Sequence, residues 1–175
     1  MRIYNFIAAT RPMTQAERDH VIRGDHAVAD SKFVINYFRF SDDNRLLFGG
    51  GESYGYAFPR DIAAKVRTPM EQIFPQLKGI EITHAWGGTL GIAYNRMPFF
   101  ARLAGNVLSA SGFSGHGVAM GTLGGKLLAE AISGQAERFD VMASVPSPQF
   151  PGGATLRWPL MVAAMLYLCL TFPLS

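Results

Sequence analysis

The segment Asn106–Gly125 constrains the fold more than any other part of this chain, because it changes from a strand pattern to a helix pattern. Residues 107–110 form a short apolar run typical of a buried strand, and small and apolar residues recur at helical spacing over 118–132. Between the two runs lie Gly112, Gly115 and Gly117, which permit a tight or left-handed backbone. The segment therefore predicts a strand, a glycine turn and a helix that begins beside Ser114 and Gly115.

The start of that helix is a candidate binding site. Its first N–H groups have no intrahelical partner, and the helix dipole places about half a positive charge there. An electron-rich ligand oxygen docked at this end would gain hydrogen bonds and a favourable field together. The junction is thus of the kind that holds anions or cofactors.

Glycines also mark one face of the predicted helix, at Gly117, Gly121 and Gly124. A glycine inside a helix costs about 0.5–1 kcal/mol relative to alanine, so three on one face indicate close packing. A sheet, a second helix or a flat ligand would each satisfy that requirement, and plain packing on a sheet without any ligand explains the spacing equally well.

Composition limits the class of protein. The 175 residues, 49% hydrophobic and 17% charged, are typical of an ordinary globular chain. The net charge is only +3 and the sixteen Lys and Arg are scattered, so we expect no nucleic-acid partner. A single cysteine, Cys169, excludes an internal disulfide and favours a cytoplasmic location. His20, His26 and His84 share no metal-ligand spacing, so we expect no metal site.

The remaining pattern is that of an α/β (α+β) chain with a mostly antiparallel sheet. The first predicted elements are a strand over 3–10 ended by Pro12, a helix or turn over 15–23, and a hairpin of 32–40 and 45–50 around 41–44. They are followed by a helix near 59–68 that Pro69 would kink or end, a strand over 79–86 with a turn at Gly87–Gly88, and a loop over 95–98. A Pro/Gly-rich strap over 145–153 precedes an apolar helix over 160–172. At thirteen residues this last run is short for a bilayer, which requires ~20. A core or docking helix is expected, with membrane insertion as the alternative.

Particular strings resemble a known family. Ser109-Ala-Ser-Gly-Phe-Ser-Gly-His-Gly-Val118, preceded by Trp86-Gly-Gly-Thr89 and Arg96-Met-Pro98, resembles the C-terminal flavin-binding segment of the D-amino-acid oxidase superfamily of FAD-dependent amine and amino-acid oxidoreductases. The gamma-glutamylputrescine oxidoreductase-like branch is the most similar. Tyr37-Phe-Arg39 and Asn44-Arg-Leu-Leu-Phe-Gly-Gly-Gly51 fit the same family, so the resemblance extends over nearly the whole chain.

This resemblance implies FAD as the cofactor, with the helix start facing the pyrimidine edge of the flavin. The implied cofactor contacts are Gly112, Phe113, Ser114, Gly115, His116, Gly117 and Val118. It also implies a small-molecule amine substrate, whose CH–NH bond is oxidised to an imine by hydride transfer to the flavin. The resemblance implies that the fold consists of a substrate-domain sheet together with the last strand and helix of an incomplete FAD-binding Rossmann-like domain.

Catalytic residues are less well defined by the resemblance. The candidates are His116, Tyr37 and Tyr54, with Arg39 beside them in the hairpin. Trp86 would contact flavin or substrate, or would be a core aromatic. His116 would lie beside the flavin, or would simply cap the helix. The hairpin aromatics would line a substrate cavity, or would pack across strands. Arg96 would contact the cofactor, or would fix its loop.

Two departures from the family pattern affect the interpretation. No Gly-x-Gly-x-x-Gly occurs in the 175 residues, so the ADP-binding unit is missing and we expect the C-terminal part of a longer enzyme. The expected parts are a partial substrate domain (1–100), the strand–turn–helix of the FAD-binding domain (101–136), and the strap with the terminal helix (137–175). Ala119 stands where amino-acid-oxidising relatives carry a lysine, which favours an amine without an adjacent carboxylate. A non-catalytic remnant without flavin and a small membrane-associated protein are the alternatives.

Overall fold

The computed structural model describes residues 2–32, 34–53, 57–148 and 152–171. The chain forms two compact units, which divide between Thr89 and Leu90. The first unit begins at Ile3, and the second contains the glycine turn and the last three helices.

The first unit is built on a five-stranded sheet. Its strands are β1 (Arg2–Pro12), β2 (Val28–Ala29), β3 (Tyr37–Phe40), β4 (Arg45–Ser53) and β5 (Ile82–Gly91), in the order β2-β3-β4-β1-β5. The pairs β2–β3, β3–β4 and β1–β4 are antiparallel. The predicted hairpin loop is confirmed: Phe40 pairs with Leu46, and Asn44 has the left-handed backbone (φ 63°) that such a loop requires.

Two helices belong to the described part of this unit, and the longer one packs on the sheet. They are α1 (Gln15–Asp19) and α2 (Ile62–Ile73), the latter followed by a 3-10 turn over Pro75–Leu77. The core between α2 and the sheet is aromatic and aliphatic, and its fully buried side chains include Phe6, Leu46, Phe48, Val66 and Met70. Burying each such side chain contributes about 1.5–3 kcal/mol, so this face of the sheet holds the unit together.

The predicted end of this helix near residue 68 is wrong, because α2 continues to Ile73 with Pro69 inside it. A proline removes one backbone hydrogen bond from a helix, but Val66 and Met70 on either side of it are fully buried. Burial of these side chains outweighs the missing bond. The helix also starts later than predicted, at Ile62, where the Asp61 carboxylate accepts a hydrogen bond from the Ala64 amide at 2.8 Å.

The predicted turn at Gly87–Gly88 is also wrong, because β5 runs straight through both glycines. A Cβ at Gly87 would lie 2.4 Å from the Phe58 ring and 2.8 Å from the Phe6 ring. Glycine is therefore needed here for the close approach of two aromatic rings rather than for a bend.

The second unit is a hairpin packed on helices. It contains β6 (Phe99–Ala104), β7 (Val107–Ser111), α3 (Gly117–Ile132), α4 (Glu137–Ala143) and α5 (Gly153–Thr171). The strand–turn–helix predicted from the sequence is confirmed, whereas β6 and α4 were not predicted. β6 pairs antiparallel with β7, and the core consists of Phe100, Leu127 and Phe139.

The terminal helix α5 begins at Gly153, earlier than predicted, and includes Pro159. Residues 149–151 of the predicted strap and 172–175 lie outside the described residues. Among the helices that the structure describes, none combines the length and the apolarity needed to cross a membrane.

The division between the two compact units falls between Thr89 and Leu90. Hydrogen bonds explain its position: the Ser114 amide donates to the Gly91 carbonyl at 3.0 Å, and the Ala93 amide donates to the Ser114 hydroxyl at 3.1 Å. The end of β5 and the loop after it therefore belong with the glycine turn. The functional roles assigned to the three expected parts stay predictions.

Candidate functional site

The glycine turn between β7 and α3 is a tight left-handed structure. Positive φ angles occur at Gly112 (64°), Ser114 (52°) and Gly115 (96°). The His116 amide closes the turn by donating to the Phe113 carbonyl at 2.9 Å. Two glycines allow this path without a steric cost, while Ser114 adopts it at the expense of some strain.

Ser114 holds the turn in place. Ser114 is the buried residue of the turn, with 7% of its surface exposed. The hydroxyl donates to the Gly112 carbonyl and accepts from the Ala93 amide, each at 3.1 Å. Because both hydrogen bonds lie within the protein, the Ser114 side chain positions the turn. The residues that follow it, Gly115 to Val118, are exposed.

The start of α3 is open. His116 occupies the N-cap position, but its side chain makes no capping hydrogen bond, so the alternative role of a capping histidine is not fulfilled. Val118 is 93% exposed. A Cβ placed at Gly115 or Gly117 would meet no atom within 4 Å among the described residues. A flat group can therefore approach the first-turn amides closely, and this geometry fits the pyrimidine edge of a flavin.

The glycine face of α3 divides into two parts. A Cβ at Gly124 would lie 3.3 Å from the Ala110 Cβ, and one at Gly121 would lie 3.9 Å from the Phe113 ring. These two glycines allow α3 to pack closely on the hairpin, which is the explanation of the glycine spacing that needs no ligand. Gly117 has open space, so it is the glycine of this face that a ligand could approach.

A cleft of 640 Å³ adjoins the turn within the second unit. Its lining residues come from the end of β5, the loop after it, the start of β6, the end of β7, the glycine turn and the strap. They are Gly91, Ile92, Ala93, Tyr94, Asn95, Arg96, Phe99, Ser111, Gly112, Ser147 and Pro148. The loop is held at two points. The Asn95 side-chain amide donates to the Pro146 carbonyl at 2.6 Å, and the Asn95 side-chain oxygen accepts from the Met97 amide at 3.0 Å.

The other candidates lie in the first unit. The Tyr37 hydroxyl donates to Oδ1 of Asn5, and the Tyr37 ring lies flat over Gly49, where a Cβ would come within 2.1 Å of it. Arg39 donates to the Phe40 carbonyl at 3.2 Å, and Trp86 is 44% exposed. Tyr54 lies outside the described residues. The structure thus brings the seven turn residues together, and it places Tyr37 in a cross-strand contact.

Sequence reasoning missed a charged cluster in the first unit. Arg11 and Glu17 form an ion pair at 2.6 Å beside a second cleft of 670 Å³. The hydrogen bond from Arg11, together with those from the Thr14 amide and hydroxyl, lowers the pKa of Glu17 from its ordinary 4.5 to about 2. The Thr14-x-x-Glu17 spacing is a capping box, and that signal was available in the sequence. Among the described residues, no group of three His, Cys, Asp or Glu could hold a metal ion.

Comparison with known proteins agrees with the fold and the turn. Residues 1–131 match the sequence model of the family described as FAD dependent oxidoreductase. The chain therefore belongs to the FAD-dependent oxidoreductase family, whose cofactor is FAD. The match includes the whole glycine turn and nearly all of α3, so the resemblance inferred from Ser109–Val118 is confirmed.

Two curated relatives match the chain over most of its length. The chain is 41% identical over 170 residues to the probable oxidoreductase OrdL of Rhizobium meliloti, covering 97% of this chain and 39% of that protein. It is 39% identical over 161 residues to the gamma-glutamylputrescine oxidoreductase of Escherichia coli, covering 92% of this chain and 38% of that protein. The chain thus spans less than two-fifths of the length of these relatives.

Solved structures agree at the level of the fold. Iminodiacetate oxidase from Chelativorans superposes with a TM-score of 0.62 at 20% identity, covering 79% of this chain and 38% of that one. Glycine oxidase from Geobacillus kaustophilus gives a TM-score of 0.59 at 17% identity, covering 75% and 35%. The mixed α/β class with a mostly antiparallel sheet is therefore confirmed.

Proposed function

We propose that this chain is the C-terminal part of an FAD-dependent amine oxidoreductase, and that its role is to hold the flavin ring at the start of α3. The observation that carries the proposal is the open, uncapped helix start within the region that matches the family. The name of the Escherichia coli relative, gamma-glutamylputrescine oxidoreductase, supports an amine as the substrate. When bound, FAD would supply the acceptor for the hydride that leaves the amine carbon as the CH–NH bond becomes an imine.

The residues of the turn would act mainly through their backbone. The amides at the start of α3 would donate to electron-rich oxygens of the flavin edge, and the helix dipole would favour negative charge there. Gly115 and Gly117 would leave room for the ring, and Ser114 would keep the turn in position from behind. His116 is exposed beside the same amides and would be able to donate a further hydrogen bond.

A second part of the proposal concerns what α3 packs against. The outer face of α3 consists of Val118, Thr122, Gly125, Ala129 and Ile132, all exposed. Val118 is 93% and Ile132 is 77% exposed, although the opposite face of the helix is already packed on the hairpin. An apolar helix face is normally buried against another element, so the exposure of Val118 and Ile132 calls for a partner.

We propose that the ADP-binding part of the enzyme, which these 175 residues do not contain, covers this outer face. Two observations support that occupant: the relatives are more than twice as long as the chain, and Gly125 and Ala129 would let a sheet approach closely. Ala119 in place of a lysine supports an amine that lacks an adjacent carboxylate, and the single Cys169 supports a cytoplasmic location.

The test is the flavin content of the purified protein. The chain is purified alone and after co-expression with the N-terminal part of the Escherichia coli relative, and visible absorbance reports bound oxidised flavin. We expect a yellow complex in the second case. Colourless protein in both cases would establish the non-catalytic remnant as the better interpretation.

A substitution at the helix start sharpens the test. His116→Asp puts a carboxylate beside the first-turn amides, which stabilises α3 by about 0.3–1 kcal/mol through the helix dipole. The same carboxylate would repel the electron-rich flavin edge, so we expect higher stability and less bound flavin. His116→Asn is the uncharged control. Flavin content that is equal in all three proteins would reject the placement of the ring at this turn.

A further inference from the structure

One wall of the cleft is a stiff piece of the strap. Ser147 and Pro148 line the cleft, and Pro146 comes directly before them. A proline fixes its own φ at about −65° and holds the residue before it in an extended conformation. The two prolines therefore restrict residues 145–148, here called the strap wall, to one extended path. Because this piece is stiff, a single contact can hold all of it in place.

That contact comes from the side-chain amide of Asn95. Within the part of the chain that the structure describes, one hydrogen bond joins residues 146–148 to another element, and it runs from Nδ2 of Asn95 to the Pro146 carbonyl at 2.6 Å. Oδ1 of the same amide accepts from the Met97 amide at 3.0 Å. Asparagine suits this position because it carries a donor and an acceptor in one planar group, whereas an ionised aspartate of the same shape only accepts.

The opposite wall of the cleft is attached more firmly. The loop after β5 is bonded to the glycine turn twice: the Ala93 amide donates to the Ser114 hydroxyl at 3.1 Å, and Ile92 forms a β-bridge with Phe113. Residues 146–148 of the strap wall are exposed. A single neutral hydrogen bond contributes only modestly to stability, because water can replace the lost partner. The strap wall is thus the side of the cleft that can move.

We propose that the strap wall is a movable side of the cleft, that Asn95 is the positioning residue which holds it against the loop, and that the closed wall contributes to binding of the amine substrate. The last part rests on the proposed function, and the first two parts do not. Ser147 brings a hydroxyl to the cleft, which can donate or accept. A ligand that touches both walls binds more weakly when one wall is loose, because binding must then order that wall.

The first measurement uses the full chain as purified and reports the order of the strap wall. Ser147 is the residue of 146–148 that has a backbone N–H, so its amide relaxation in NMR measures this piece directly. We expect an order parameter of about 0.85 in the wild-type chain and less than about 0.6 in Asn95→Asp. Asn95→Asp keeps the acceptor for the Met97 amide, but it loses the donor and places a carboxylate against the Pro146 carbonyl.

Two controls accompany this measurement. Asn95→Ala loses both hydrogen bonds and should loosen Ser147 as much as Asn95→Asp does. The Ser144 amide, which donates to the Asp140 carbonyl at the end of α4, should stay ordered in all three proteins. A Ser147 amide that is equally ordered in Asn95→Asp and in the wild type would overturn the proposal. If Asn95→Ala alone loosened it, Asn95 would act through the turn at Met97 instead.

The second measurement uses the complex with the N-terminal part of the Escherichia coli relative, with n-butylamine as the probe. Asn95→Asp should raise KM about tenfold, as expected when the closed wall is populated one-tenth of the time, and should change kcat by less than about twofold. A loosened Ser147 with an unchanged KM would overturn the role in binding. A complex without flavin or activity would reject the proposed function, and the order of Ser147 would still decide whether Asn95 holds the strap wall.

Discussion

At the scale of single residues, Glu17 makes a pH-dependent contribution to stability. Its pKa in the folded chain, about 2, lies below its ordinary 4.5 because Arg11 and Thr14 hydrogen-bond to the carboxylate. The ionised form therefore stabilises the fold at pH values above 4.5, and this contribution is lost as the pH falls toward 2.

Glu17→Gln should show this directly. We expect the difference in unfolding free energy between wild type and variant to be constant near neutral pH and to shrink as the pH falls through the window from 4.5 to about 2. Urea denaturation at a series of pH values measures it. A difference that stays the same across this window would mean that the carboxylate charge contributes nothing.

Gly49 is required by the position of Tyr37. A Cβ at Gly49 would overlap the Tyr37 ring at 2.1 Å, so Gly49→Ala must displace the ring and break its hydrogen bond to Asn5. We expect a loss of about 1–3 kcal/mol of stability, as for other overpacked sites. Gly88→Ala, with no atom within 4 Å of its Cβ, is the matched strand control.

A double-mutant cycle separates this contact from other effects. In a Tyr37→Ala background the space over Gly49 is empty, so Gly49→Ala should cost little there. An equal cost in both backgrounds would show that the ring contact is not the reason for the glycine.

At the scale of elements, two adjacent glycines of α3 should respond in opposite ways. Gly124 faces the hairpin, where a Cβ would lie 3.3 Å from the Ala110 Cβ, and Gly125 faces open space. Gly125→Ala should stabilise the protein by about 0.5–1 kcal/mol through helix propensity. Gly124→Val should destabilise it by about 1–3 kcal/mol through overpacking. Thermal unfolding measures both, and equal effects would contradict the packing of α3 on β7.

The elements that the sequence predicted correctly have strong local signals. The strand–turn–helix from Val107 to Ile132 follows from a change of hydrophobic period at glycines, and the hairpin at 41–44 follows from turn residues. The errors at Pro69 and at Gly87 have tertiary causes. Buried neighbours keep α2 intact around its proline, and two aromatic rings occupy the space beside Gly87.

For the candidate site, the sequence was sufficient to locate the turn but not to assign roles within it. The Ser114 amide donates to the Gly91 carbonyl and the Ser114 hydroxyl accepts from the Ala93 amide, and both partners are far away along the chain. The position of Arg96 in the cleft could not be predicted either, because the charge of a cleft is known only when its lining residues are known. Long-range contacts of this kind leave no periodic pattern.

At the scale of the whole molecule, the chain combines a sheet unit and a turn-and-helix unit of an FAD-dependent oxidoreductase. Each unit has its own hydrophobic core, one centred on Phe6 and Phe48 and the other on Phe100, Phe139 and Leu127. Among the side chains that the structure describes, the second core contains fewer buried residues than the first.

The outer face of α3 has a practical consequence for anyone who prepares this polypeptide by itself. Val118 and Ile132 leave branched hydrocarbon in water at opposite ends of one helix, with small residues between them. An exposed apolar strip of this kind favours aggregation and binding by chaperones, and it lies on the same helix whose first-turn amides are proposed to face the flavin. The yield of soluble protein and its flavin colour should then change together, because a partner that covers this strip would also stabilise the start of α3 and the glycine turn before it.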